Sequence, residues 1–170
     1  MKTKIKTLTA AGLLLASSAA IANEGTFGFS YLHIDDGDIT LGAFTSTVGY
    51  VFPINDGFSI IPEFRAGIGI NDDRFEGLNF ELKSLIGANL RFQFNVSDAA
   101  YLFLSPSYNR YKIKGSMPIG DATLSASATD DGFGFGGGIG YQVSDGFALE
   151  AGYERVDGIN VVMVGSRIRF

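Results

Sequence analysis

From residue 23 onward, apolar and polar positions alternate with a period of two rather than 3.6. Between Leu78 and Val96 one parity reads Leu78, Phe80, Leu82, Ser84, Ile86, Ala88, Leu90, Phe92, Phe94 and Val96. The other reads Asn79, Glu81, Lys83, Leu85, Gly87, Asn89, Arg91, Gln93 and Asn95. Successive side chains of a strand point to opposite faces, so such a segment has one greasy face and one polar face. The pattern predicts eight strands, near 26–34, 39–52, 58–72, 78–96, 100–116, 122–143, 147–156 and 159–170. Turn signals separate them, among them Asp35-Asp36-Gly37-Asp38, Ser144-Asp145-Gly146 and Asp157-Gly158. Asp-Gly between alternating runs marks a hairpin, because type I′ turns require positive φ. Similar turns recur at Ile54 to Phe58, Val96 to Ala100 and Val143 to Phe147, so the repeating unit is a hairpin pair. An up-and-down antiparallel meander follows.

Which face meets the surroundings decides the class. The polar parity carries Glu63, Arg65, Glu150 and Glu154 together with many glycines; the other carries row after row of Phe, Tyr, Ile and Leu. Eight strands leave room inside a closed barrel only for side chains, which suits the glycine-bearing parity. The bulky apolar parity then faces outward, and an outside of that kind needs lipid. Closure satisfies every backbone N–H and C=O, as hydrocarbon demands, and about 9–11 tilted residues per strand cross a bilayer. The expected fold is an all-β, eight-stranded antiparallel up-and-down transmembrane β-barrel.

The first 22 residues read differently. Lys2, Lys4 and Lys6 precede an apolar run containing Leu13, Leu14 and Leu15, and the segment ends Ala20-Ile21-Ala22. That is the order of a secretory signal with an A-x-A cleavage site, and the run is short and Ser/Ala-rich for a membrane anchor. The expected division is a signal peptide over 1–22 and a barrel over 23–170. Cleavage removes three of the 13 bases and none of the 18 acids, leaving a net charge of −8. Such a charge gives nucleic-acid binding no electrostatic basis. Absence of Cys excludes a disulfide framework and thiolate chemistry, and one His excludes a multi-histidine metal site, so no cofactor or metal is expected.

A signal segment, eight alternating strands and a terminal Arg167-Ile168-Arg169-Phe170 resemble the small bacterial outer-membrane β-barrels of the OmpA/OmpX kind. The resemblance covers the whole chain after the leader and implies export to the bacterial outer membrane. It also implies that Val162, Val164, Ile168 and Phe170 form a C-terminal signal read by the barrel-insertion machinery, and that the protein is a monomer. The peptidoglycan-binding role of larger members, which rests on an additional domain, is not expected of this chain.

Parity places Glu63, Glu81, Glu150 and Glu154 in the lumen with Arg65, Lys83, Arg91, Arg167 and Arg169. Glu150 and Glu154 are expected to face Arg167 and Arg169, because buried charges must pair. A plug of salt bridges is the structural reading; a narrow gated ion path along the same charges is the alternative. Arg110, Lys112 and Lys114 share the outward parity of the fifth strand, and Arg155 has similar height on the seventh. These cations are expected to meet lipopolysaccharide phosphates at the outer rim. The outer connections carry Asp35, Asp36, Asp38, Asp73, Glu76, Asp121 and Asp157. The third to sixth strands exceed what a bilayer needs, so a protruding sheet is expected, with an edge open to a surface protein partner.

The expected role is non-catalytic: envelope integrity, or surface interaction and adhesion. A third alternative is a lipid A-modifying outer-membrane enzyme, a chemistry found in some barrels that resemble this one. It would need His33 as base with Ser30 or Ser46 nearby, and the His-x-Ser pattern of the deacylases is absent.

Overall fold

Asp157 and Gly158 both adopt positive φ, 46° and 101°, as do Glu76 and Gly77 at 50° and 82°. These are two-residue turns of the mirror-image type, matched to the right-handed twist of the strands they join. The computed structural model describes residues 24–119 and 122–170; the leader over 1–22 and Asp121 lie outside them. Ten strands form: β1 (Gly25–Asp35), β2 (Thr40–Tyr50), β3 (Phe52–Asn55), β4 (Phe58–Gly69), β5 (Asp72–Phe75), β6 (Leu78–Asn95), β7 (Ala100–Ile119), β8 (Ala122–Ser144), β9 (Phe147–Val156) and β10 (Ile159–Arg169). Antiparallel pairing runs β1–β2–β4–β6–β7–β8–β9–β10 and returns from β10 to β1, a ring of eight. The short β3 and β5 are the broken ends of two staves, each paired to a single neighbour, β4 and β6.

Outside, the staves carry exposed apolar side chains along their length. Tyr31, Phe44, Tyr108, Phe133 and Tyr153 ring one end, and Tyr50, Phe52, Phe94, Tyr141 and Phe170 ring the other. Aromatic girdles at two levels are the mark of a wall that meets two bilayer interfaces.

Inside, the filling is layered. Toward the end bearing the long strands, Leu32, Ile34, Leu41, Ala43, Leu82, Leu85, Tyr111, Val156 and Val161 close the lumen with a dry apolar cluster. Toward the opposite end, Tyr101, Phe103 and Ala148 pack together, with Val51 and Ile61 also buried. The buried charges lie beyond the first cluster and interleave with the second: Arg91 stacks over Phe103, Tyr101 meets Glu150, and Arg167 stands opposite Ala148.

Strands β6, β7 and β8 have 18, 20 and 23 residues, against 10 to 12 for β1, β2, β4, β9 and β10. Their extra length projects beyond the barrel as a sheet of β5–β6–β7–β8. Pairing of β8 with β9 begins at Gly134, whereas its pairing with β7 extends to Ala122. Residues 122–132 of β8 therefore have a partner on one edge only. One face of this sheet is polar, with Lys112, Lys114, Ser125, Ser127 and Thr129; the other carries Ile113, Met117, Leu124, Ala126 and Ala128.

A second opening is closed by side chains. Where β4 leaves β2 after Gly69, the outer end of β2 loses its neighbour. Asp73 Oδ2 accepts from the Thr40 N–H at 2.7 Å, and Asn71 Oδ1 accepts from the Gly42 N–H. Backbone hydrogen bonds from Thr40 and Arg74 hold the Asp73 carboxyl below the ordinary 3.8. The cap is thus fully present above that ordinary value and is lost as pH falls through the lowered one. In an NMR titration of the refolded barrel, the Thr40 amide shift is expected to move with a midpoint below 3.8; a midpoint at or above it contradicts the cap.

Candidate functional site: a sealed lumen of paired charges

The inward positions of four staves bring six ionised side chains into the lumen: Glu63 and Arg65 from β4, Arg91 from β6, Glu150 and Glu154 from β9, and Arg167 from β10, all buried. Three acids and three bases leave no net charge. They form two groups. In the first, Glu150 Oε1 meets Arg91 Nη2 at 2.5 Å and Arg167 Nε at 2.9 Å, and accepts from the Tyr101 hydroxyl at 2.7 Å. Arg167 Nη1 reaches Glu63 at 2.6 Å and donates to Thr26 Oγ1 at 3.1 Å. The Arg91 guanidinium lies 3.8 Å from the Phe103 ring centre, a cation–π contact inside the barrel. In the second group, Arg65 Nη1 meets Glu154 Oε2 at 2.8 Å across the lumen. The hydroxyl of Ser107 donates to Glu154 Oε1, which also accepts from Asn109 Nδ2 at 3.1 Å.

Glycines on β8 make room for this arrangement. A Cβ at Gly140 would stand 2.1 Å from the Tyr101 ring, and one at Gly138 would stand 2.6 Å from the tip of Phe103. The bare stretch of β8 is therefore the counterpart of the two rings that seat Arg91 and Glu150. One void among the charges holds about 30 Å³, space for about two waters, and another of about 70 Å³ lies between Thr26, Tyr101 and Arg167 at the opposite mouth.

Three expected lumen residues stand elsewhere. Register shifts between Leu82 and Ser84 in β6, so Lys83 is an extra residue at a bulge. A bulge inserts one residue and reverses which face follows. Leu82 and Leu85 consequently face inward, while Glu81 and Lys83 pair with each other at the half-exposed outer surface. Arg169 is exposed at the mouth beside Arg167, Gln93 and Gln142 and does not meet Glu154. The reason is register: Glu154 stands opposite Val161, eight residues from Arg169 along β10, roughly 27 Å at ~3.4 Å per residue. Arg65, on the far wall, is nearer.

Sequence reasoning did not find the apolar cap or the roles of Tyr101 and Phe103. Their signal was present: both share the inward parity of Ser105, Ser107 and Asn109, opposite the glycines of β8.

On the outer face, Arg110 is held by Asp131 through bonds of 2.6 and 3.0 Å. Lys112 and Lys114 follow it up β7 on the same face, and Arg155 stands apart on β9, opposite Phe135. Val162, Val164 and Ile168 point outward from β10, which is hydrogen-bonded on both sides, and Phe170 follows its last residue. Some of the acidic connections are structural caps: Asp157 Oδ2 accepts from the Phe133 N–H at 3.2 Å, and Asp35 Oδ1 from the Gly37 N–H at 2.8 Å. His33 points outward between Gly42 and Val162, whereas Ser30 is buried inward and Ser46 stands opposite Phe29. Neither serine meets the imidazole.

A closed antiparallel ring with an apolar, double-girdled wall and ions confined to its interior is a transmembrane β-barrel. The chain belongs to the outer membrane protein beta-barrel domain family, whose model matches residues 7–161, and this places it in the bacterial outer membrane. Among solved structures it is similar to Ail, the attachment invasion locus protein of Yersinia pestis, with TM-score 0.58 and 19% identity over 86% of this chain and 97% of that one. It is similar to Neisserial surface protein A, with TM-score 0.52 and 17% identity over 88% and 98%. The N-terminal barrel domain of Pseudomonas aeruginosa OprF gives TM-score 0.53 and 11% identity over 85% and 97%. At such identities the likeness is one of fold. No curated protein matches the chain.

Two outcomes follow. Glu154→Leu alone strands Arg65 and is expected to cost about 3–5 kcal/mol, whereas adding Arg65→Met restores most of the loss; urea unfolding of the barrel in micelles checks this. In planar bilayers the wild-type protein is expected to give no conductance steps, because the apolar cluster at the long-strand end and the paired charges behind it fill the lumen; regular steps would contradict the seal.

Proposed function

We propose that this barrel is a non-catalytic surface-interaction protein whose working part is the projecting β5–β8 sheet. The observation that carries this reading is the one-sided pairing of β8 over residues 122–132, next to an apolar face with Leu124 64% exposed. A strand edge with free N–H and C=O groups accepts an extended segment by main-chain hydrogen bonding, and an adjoining apolar face takes alternate side chains of that segment. Natural edges are usually protected by Lys, Pro or a bulge; residues 122–132 read Ala-Thr-Leu-Ser-Ala-Ser-Ala-Thr-Asp-Asp-Gly and contain no Lys or Pro. The partner is an extracellular protein with an extended, alternately apolar segment. Attachment on this fold has a precedent in Ail, by its name an attachment invasion locus protein; that support is by analogy of fold.

The same reading assigns Lys112 and Lys114, with Arg110 and Arg155, to lipopolysaccharide phosphates, and the outward apolar row of β10 to recognition by the insertion machinery. The separation of His33 from Ser30 and Ser46 supports a non-enzymatic role.

Expression on a non-adherent laboratory strain is expected to raise adherence to an epithelial monolayer several-fold. Leu124→Lys with Ala128→Lys, remote from the barrel, is expected to remove the gain at unchanged surface level. Full adherence by the double variant would place the contact elsewhere.

A further inference from the structure

The apolar wall has a notch. Outward positions of β8 run Phe133, Phe135, Gly137, Ile139 and Tyr141, so a hydrogen stands where its neighbours carry large side chains. Gly137 is level with Leu104 on β7 and Tyr153 on β9. The result is an open trough of about 720 Å³ on the lipid-facing side, walled by Leu104 and Tyr153 and topped by Phe135 and Arg155. Its floor cannot rise: a Cβ at Gly137 would stand 2.8 Å from the Phe103 carbonyl oxygen.

The upper end carries one cation and one carboxylate, Arg155 and Asp157, which form no ion pair with each other. Arg155 is exposed and forms no ion pair among the described residues, whereas Arg110, the other rim arginine, is held by Asp131. Asp157 also lines the upper end, but its Oδ2 is fixed on the Phe133 N–H. Arg155 stands one outward position above Tyr153, a girdle residue, and so at the depth where lipid head groups begin.

We propose that this trough seats one acyl chain of a lipopolysaccharide molecule, with the Arg155 guanidinium on a head-group phosphate. An apolar channel bounded by hydrocarbon and aromatic side chains takes the chain. The guanidinium at its top takes the anion in a charge-assisted, bidentate manner. The long-strand end of the barrel is the outer one, so the lipid is that of the outer leaflet. The site rests on the assignment of Arg155 to lipopolysaccharide made above and narrows it to one trough; it does not depend on the sheet edge, so adherence and lipid retention can fail separately.

The test uses the whole mature chain refolded in detergent, mixed with equimolar lipid A or phosphatidylglycerol, and native mass spectrometry of the lipid retained. One lipid A per barrel is expected to survive desolvation. Arg155→Gln is expected to lower its retention about tenfold, the loss of one charged hydrogen-bond pair. Leu104→Phe, which extends a ring over Gly137, is expected to lower it similarly, with heat-modifiable gel migration verifying the fold. Arg74→Gln, which removes an exposed cation of the projecting sheet away from the trough, is expected to leave retention unchanged. An equal loss in Arg74→Gln would overturn the proposal in favour of diffuse charge attraction, as would undiminished retention in Arg155→Gln or Leu104→Phe. Retention of phosphatidylglycerol equal to that of lipid A would also overturn it.

Discussion

Hydrocarbon offers no hydrogen bonds, and the rest of this structure depends on that fact. Each main-chain N–H and C=O at membrane depth must find a partner within the protein, and a sheet does this only by returning to its first strand. The pairing of β10 with both β9 and β1 completes the circuit. A ring of eight is narrow, so its interior is a packed core and not a pore. Glycines on β8 are the local adjustment that lets Tyr101 and Phe103 fit within it.

Charge in the lumen follows from the same constraint. The outer wall is closed to ions, and the inner wall has neither bulk water nor space for much of it. Each arginine there is matched by a glutamate, and hydroxyls and amides of Tyr101, Thr26, Ser107 and Asn109 add hydrogen bonds, while Arg91 Nε and Asn109 Oδ1 are left without one. Such a network contributes less to stability than its number of contacts suggests, since desolvation offsets most of the attraction. Its effect is to fix the relative height of staves: Arg65 with Glu154 and Glu63 with Arg167 tie β4 to β9 and β10 across the barrel.

Strand number, alternation and the face given to lipid were legible in the sequence because they rest on period-two patterning, which local substitutions do not blur. Hairpins at Asp157-Gly158 were legible for the same reason, as turn chemistry is local. Partners across the lumen were not. Glu154 was matched with a neighbour on β10 by adjacency, whereas register and the reach of arginine join it to β4. Glu81 and Lys83 were misplaced because nothing in Leu82-Lys83-Ser84 announces a bulge; only the pairing with Lys112 and Ile113 reveals it. Val51 and the step from Gly69 to Asp72 interrupt staves read as continuous, since there the chain changes partners and not pattern.

That one extra residue at Lys83 has a larger meaning. Below it, β6 shows grease to the exterior and polarity to the interior; above it, Leu82 and Phe80 turn toward the inside and Glu81 toward the water. A single unbroken ribbon thus obeys two solvents in succession, with the inversion accomplished without a loop. The part beyond the bilayer acquires a small oily nucleus of its own, as a water-borne domain would. Its exterior is thereby free to be rewritten residue by residue while the buried ionic lattice beneath stays as it is.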